Sequence, residues 1–233
     1  MNSILKGNLM MFAARTFSGL NQNALRYLLP HWMGARTGVL LRLGAGSLLF
    51  LIYQLIVWKK FPRPKAKDTF ILLGAGLIFV FGYMWTLLEG LTYTTPISSS
   101  IFISLQPAFV FIICLIIKTE KSTFMKIAGM IIGFGGALMC ILTQHGSEIA
   151  TDPFKGNMLC LLGAILYSCY LIIEKKYIPS YGSGMVSLLT FGGGAIGAAV
   201  LVCFTGWDAK VFTQGLFSTP MLVLLFILIS PHL

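Results

Sequence analysis

The side chains that could do chemistry in this chain are few, and most sit inside long apolar runs. In the first run Asn8, Arg15, Ser18, Gln22 and Arg26 recur at spacings of 7, 3, 4 and 4. At 100° per residue they share one stripe of a helix. Arg15 lies ten residues into that run, roughly 15 Å deep at 1.5 Å per residue. An arginine facing hydrocarbon costs at least ~2.5–3.5 kcal/mol. Arg15 is therefore expected to face a watery cavity, or to be held structurally by carbonyls of a neighbouring helix.

A second group lies in the run from 97 to 117, with Ser98, Ser99, Ser100, Ser104, Gln106 and Pro107. Pro107 removes a backbone hydrogen bond and is expected to kink the helix at a depth like that of Arg15. A broken helix at the midplane marks many transport sites, and an ordinary packing kink is the alternative. Tyr167, Ser168 and Tyr170 fall at a corresponding depth later in the chain. They suit a cavity lining, or equally hydrogen bonds between helices. The candidate substrate pathway is Arg15, Ser18, Gln22, Gln106, Pro107 and Tyr167. Glu89 lies 21 residues after Asp68, about one bilayer thickness away, and reads as an interfacial carboxylate. Arg42, near the outer end of its run, reads as an anchor whose head group snorkels to the interface.

Other chemistries find no support. His31, His145 and His232 are isolated and share no metal-ligand spacing. Gly133-Phe134-Gly135-Gly136 lies within an apolar run and lacks the Lys-Ser/Thr ending of a phosphate loop. All five cysteines lie in apolar runs without a CxxC pair, so they read as small core residues. No nucleophile–base constellation suggests an enzyme, and no cofactor or metal is expected.

Those residues must be positioned by membrane-spanning helices. The chain has 233 residues, 57% hydrophobic and 10% charged, and a mean hydropathy of +0.86. A soluble domain is about 25% charged, and a disordered chain could not keep so much apolar surface solvated. The length allows about seven to nine crossings. Apolar windows place them near 5–25, 37–58, 69–88, 97–117, 123–143, 156–174, 184–205 and 218–231. Turn and charge signals separate them, including Glu174 to Pro179. Arg15 interrupts the first run and no clean cleavage site follows, so the first helix is expected to stay. The glycines at 129, 133, 135, 136, 192, 193, 194 and 197 suit close helix packing.

The net charge of +10 suits basic cytoplasmic loops better than nucleic acid binding. Lys6, the 59–68 loop, the 118–126 loop and Lys175-Lys176 put eleven basic residues on one side. The other side holds four: Arg26, Arg36, Lys155 and Lys210. The basic side, with the N-terminus, is expected to be cytoplasmic, in a multi-pass protein of the cytoplasmic (inner) membrane.

An internal repeat adds to this. Lys6-Gly7-Asn8-Leu9-Met10 resembles Lys155-Gly156-Asn157-Met158-Leu159 at an offset of 149. Arg26 falls on Lys175 at that offset, Pro30 on Pro179, Leu40 on Leu189 and Gly44 on Gly193. Five spans separate the copies, so the second enters from the opposite side, as in the inverted repeats of secondary transporters. The fourth and fifth spans should then recur near 246 to 292. Since the sequence stops at 233, a truncated chain or a degenerate second half is expected.

Gly90-Leu91-Thr92-Tyr93-Thr94-Thr95-Pro96, Ser99-Ser100-Ile101 and Leu105-Gln106-Pro107 resemble the third and fourth helices of EamA-type transporters, of the drug/metabolite transporter superfamily. Glu120-Lys121, Gly129 and Gly133-Phe134-Gly135-Gly136-Ala137 are similar to that family's basic loop and glycine-rich fifth helix. Arg42 matches an arginine often found early in its second helix. The resemblance covers about 1–215 and is strongest over 86–143. It implies an all-α polytopic membrane protein, a bundle of two inverted five-helix repeats that export or import small metabolites. Residues 1–145 would form the first repeat and 146–233 an incomplete second (helices 6, 7 and part of 8). About seven or eight of ten helices would then be present, an apparent C-terminal truncation.

The expected function is a secondary transporter of small metabolites working by alternating access, or the N-terminal part of one. Its partners would be a small-molecule substrate and the lipid bilayer, without nucleic acid; no feature sets an oligomeric state. The alternative is a membrane remnant or structural protein that transports nothing. An intramembrane enzyme would need an acidic or histidine cluster at membrane depth. The orientation is open to test in a cysteine-free background. Impermeant reagent added outside should modify a cysteine at Ser147 and spare one at Lys65; the reverse pattern overturns the topology.

Overall fold

The computed structural model describes residues 3–29, 31–57, 63–143, 150–213, 215 and 217–229, without the side chains of 3, 4, 6–11, 13–15, 57, 141, 142 and 229. These residues are mostly helical, with no strand among them. Helix α1 is Ser3–Leu28, α2 is Ala35–Val57, and α3 is Ala66–Tyr93 with a π-helical segment at Gly76–Val80. Helix α4 is Pro96–Ile116, interrupted at Leu105, and α5 is Phe124–Thr143. Pro153–Thr205 is two helices, α6 (153–181) and α7 (183–205), joined at Gly182. A short 3-10 turn, Lys210–Thr213, precedes α8, Thr219–Ile229.

Local chemistry explains several boundaries. Thr95 caps α4, its Oγ1 accepting from the Ser98 amide at 3.1 Å, with Pro96 in the first turn. Asp152 does the same for α6, accepting from the Lys155 amide at 3.0 Å ahead of Pro153. The α6–α7 boundary is later than the sequence predicts. Helix α6 runs through Glu174, Lys175, Lys176 and Pro179 to 181. The turn falls instead at Gly182 (φ 76°, ψ 155°), a backbone conformation that only glycine adopts without strain.

The contacts fix which helix ends lie together. Arg26, near the end of α1, donates from Nη1 to the carbonyls of Leu91 and Thr92 at the end of α3, at 2.8 and 3.0 Å. The Asp152 amide, at the start of α6, donates to the Tyr93 carbonyl at 3.2 Å. Helix α6 therefore begins at the end of the bundle where α1 finishes, and the two run in opposite directions. At the other end Tyr181 donates to Asp68 Oδ2 at 2.5 Å, tying α6 to the start of α3.

Helix α3 is the central element, packed against α2, α6 and α7. Its approach to α7 is backbone to backbone: a Cβ on Gly76 would land on the Thr190 carbonyl, and one on Gly193 on the Leu73 carbonyl. Against α6, a Cβ on Gly156 would lie 2.7 Å from Thr94 Cβ. Small residues let helices meet at this range, where dispersion and carbonyl contacts replace a hydrophobic drive that lipid does not supply. Leu25, Leu28, Val39, Leu43, Met84, Leu88 and Leu91 fill the space around these contacts. Ile52, Ile56, Phe70 and Ile78 stay exposed on the rim, as lipid-facing residues should.

The glycines of α5 behave differently from the expectation. A Cβ at Gly129, Gly133, Gly135 or Gly136 would meet nothing within 4 Å. That face is open; α5 touches α4 through Phe109 and Phe134, edge to face at 5.4 Å. Between the loop before it and its first turn, the exposed Lys126–Glu120 pair at 3.0 Å holds the Glu120 carboxyl below its ordinary range.

The two sets of glycines give a direct comparison. Gly193→Ala forces a methyl into the α3 backbone and should cost about 1–3 kcal/mol, the usual range for overpacking. Gly133→Ala should be neutral within about 0.5 kcal/mol. Thermal unfolding of the two purified variants measures this. Equal stability would refute the close α3–α7 contact.

Candidate functional site

A buried polar cluster sits where α1, α2, α3, α4 and α6 converge. Asn21 and Gln22 come from α1, Arg42 from α2, Tyr83 from α3, Ser99 and Gln106 from α4, and Tyr167 and Ser168 from α6. Each occupies a position whose neighbours along the helix are apolar core residues, such as Leu25, Leu43 and Leu87. The cluster therefore lies inside the bundle, not at its ends.

Arg42 is its charged member. It is 7% exposed, and Nη1 donates to Asn21 Oδ1 at 3.0 Å. The anchor role expected from sequence is thus wrong: the guanidinium turns inward and is shut off from the interface. The Tyr83 hydroxyl lies close enough to interact with it electrostatically. Gln106 sits beside Tyr83, but its buried Nε2 makes no hydrogen bond of acceptable geometry.

Helix α4 delivers Gln106 through its break. Leu105 (φ −82°, ψ −8°) ends the first half, and the Ala108 amide bonds back to the Leu105 carbonyl at 3.0 Å. Pro107 follows at the start of the second half, where its missing N–H is harmless. The Gln106 carbonyl turns to α6 and accepts from Ser168 Oγ at 3.2 Å. Ser99, one segment earlier, donates to Gln22 Oε1 at 3.3 Å and so ties α4 to α1.

An aromatic wall completes the cluster. Tyr83 and Tyr167 meet at 4.6 Å between ring centroids, tilted by 42°, and Tyr170 continues the row 5.6 Å from Tyr167. Tyr170 shares a hydrogen bond with Thr190 of α7 at 3.3 Å, and Ser187 donates to Glu174 at 3.4 Å. A polar chain thus runs from the centre toward the α6–α7 turn.

The residues expected from sequence divide accordingly. Gln22, Gln106 and Tyr167 are brought to the cluster. Ser18 is half-buried on α1, and Pro107 is exposed beside the buried Gln106. The Arg15 side chain lies outside the described residues. Sequence reasoning missed Asn21, Arg42 and Tyr83 as cluster members. Only Arg42 gave a signal, as a charge at the eighth position of an apolar helix.

A cavity of about 500 Å³ opens at the end of the bundle where α1 and α3 finish. Arg36, Thr37, Glu89, Tyr93, Thr151 and Asp208 are among its lining residues. Its floor is bonded across the two halves of the chain, with the Asp208 amide donating to Thr37 Oγ1 at 3.1 Å and the Gly34 amide to the Asp208 carbonyl at 3.0 Å.

A polar, partly ionised centre inside an apolar helical bundle suits a protein that moves solutes across a membrane. Comparison with known proteins agrees. Residues 5–142 match the EamA-like transporter family. The uncharacterized transporter YyaM of Bacillus subtilis (strain 168) is 22% identical over 200 residues, 84% of this chain and 65% of that protein. Another from the same organism, YetK, is 28% identical over 148 residues, 63% and 45% of the two chains. The WAT1-related protein At4g01450 of Arabidopsis thaliana is 28% identical over 182 residues, 65% of this chain and 48% of that one. The chain thus spans less than two thirds of the length of these relatives. One solved crystal structure shares the fold, with a TM-score of 0.65 over 96% of this chain and 74% of its own at 15% identity. With more than half its length matched, the chain belongs to the EamA-like transporter family.

Proposed function

We propose that the protein is a secondary transporter of small metabolites that works by alternating access, or the N-terminal portion of one. The substrate would bind at the polar cluster and be exposed to each side of the membrane in turn. The observation that carries this reading is Arg42, buried at the meeting point of five helices instead of at a bilayer interface. Ionisable groups at such a depth mark solute pathways. The opposed directions of α1 and α6 support two units of inverted topology, residues 1–145 and 146–233, that rock about the cluster. The basic loops favour a cytoplasmic N-terminus in the cell membrane. Arg15, Ser18, Gln22, Gln106, Pro107 and Tyr167 stand as the candidate pathway, joined by Arg42, Tyr83 and Asn21.

The cavity at the end of the bundle offers a lock. A Cβ on Gly34 would stand 3.5 Å from Asp208 Cβ, within the range a disulfide spans. In a cysteine-free background, the Gly34→Cys/Asp208→Cys pair should close on oxidation and fix α2 to the segment after α7. In liposomes screened with an amino-acid and organic-acid panel, oxidation should cut transport about tenfold or more, and reductant should restore it. Transport by the oxidised pair at the parent rate would overturn rocking between these ends. A panel in which nothing moves would overturn the transporter reading in favour of a structural role.

A further inference from the structure

The buried charge of Arg42 has no counter-charge. Its Nη1 is engaged by a neutral amide, its Nε has no hydrogen-bond partner, and among the described residues no carboxylate is paired with it. Gln106 is 7% exposed, and its Nε2, beside Tyr83, makes no hydrogen bond of acceptable geometry. Both side chains converge on Tyr83. A buried cation without a counter-charge, and a buried amide donor without a well-formed hydrogen bond, each carry a desolvation penalty that a folded protein ordinarily relieves. Two such donors beside the Tyr83 hydroxyl describe a place for a charged acceptor that the described residues do not provide.

We propose that Arg42 and Gln106 form an anion subsite, which takes the carboxylate of an organic acid whose planar or apolar body lies along Tyr83 and Tyr167. This rests on the transporter reading and names its substrate class. One guanidinium N–H and one amide N–H match the two oxygens of a single carboxylate. The single positive charge of Arg42 balances a monoanion and leaves a phosphate dianion undercompensated. Tyr83 and Tyr167 are both only half-buried. Their 4.6 Å pairing supplies an apolar wall with hydroxyls at its edge. Asn21, by accepting from Nη1, sets the direction in which the remaining N–H groups point.

The experiment is equilibrium binding by the purified protein in detergent, with thermal unfolding in parallel. The probes are phenylacetate, its neutral isostere phenylacetamide, inorganic phosphate and sodium chloride at matched ionic strength. Phenylacetate should bind and raise the melting temperature, and phenylacetamide should bind about tenfold or more weakly, because it lacks the charge-assisted pair. Arg42→Gln should weaken phenylacetate by a similar factor. Lys126→Gln, at the exposed start of α5, should not change it. Gln106→Glu keeps the test decisive if Arg42→Gln fails to fold. It places an internal carboxylate beside Arg42, and should yield a protein at least as stable as the parent that no longer binds phenylacetate. Equal binding of acid and amide, saturation by chloride or phosphate alone, or unchanged affinity in Gln106→Glu would each overturn the subsite. Because the readout is binding, a protein that binds phenylacetate but transports nothing upholds the subsite and sinks the transporter reading. One that transports only neutral or cationic compounds does the reverse.

Discussion

The structure depends on how closely α3 approaches α7. At Gly76 and Gly193 the two helices touch through their backbones, leaving no room for even a methyl group. Inside a bilayer the apolar surface of a helix gains little by leaving lipid, so association rests on short-range packing. That packing is strongest where backbones meet. The π-helical segment at Gly76–Val80 lies at this contact and inserts extra residues into the turn of α3. The faces of α3 on either side of it are thereby rotated relative to each other. One face meets α7 and the other meets α6 through Gly90 and Gly163.

The polar cluster follows from that arrangement. Tyr83 lies on α3 just beyond the π segment and is carried toward α6, where Tyr167 receives it. Arg42 reaches the same point from α2, and Gln106 from the broken middle of α4. Many polar side chains elsewhere bond within their own helix, as Thr86 does to the Gly82 carbonyl at 2.8 Å. The centre differs in bringing such groups together from five helices, with Arg42 Nε and Gln106 Nε2 left without a hydrogen bond.

Much of the architecture was legible in the sequence, because hydropathy and turn chemistry are local signals. Eight apolar windows became eight helices, and Thr95-Pro96 and Asp152-Pro153 mark helix starts that the structure keeps. The break in α4 was foreshadowed by Pro107, and Gln22, Gln106 and Tyr167 by their polarity at depth. What failed was whatever required knowing neighbours. Arg42 was assigned to the interface from its distance along the helix, but its direction was decided by Asn21 and Tyr83 on other helices. The α5 glycines share their pattern with those of α7 and yet face open space, since a small residue permits close contact without supplying a partner. Pro179 looked like a terminator, but the reversal needed a positive φ, and Gly182 provides it.

The central position of α3 also orders the events of assembly. The ribosome delivers α3 to the membrane before α6 and α7 exist, so its two glycine-bearing faces enter without their permanent neighbours. Until residues 153–205 have been made, those faces must rest against lipid or against the insertion machinery. The first five helices are thus a waiting intermediate, whose central member is completed only from the far half of the chain. Anything that delays synthesis between Thr143 and Pro153 prolongs that exposed stage and gives the cell's membrane proteases longer to find it.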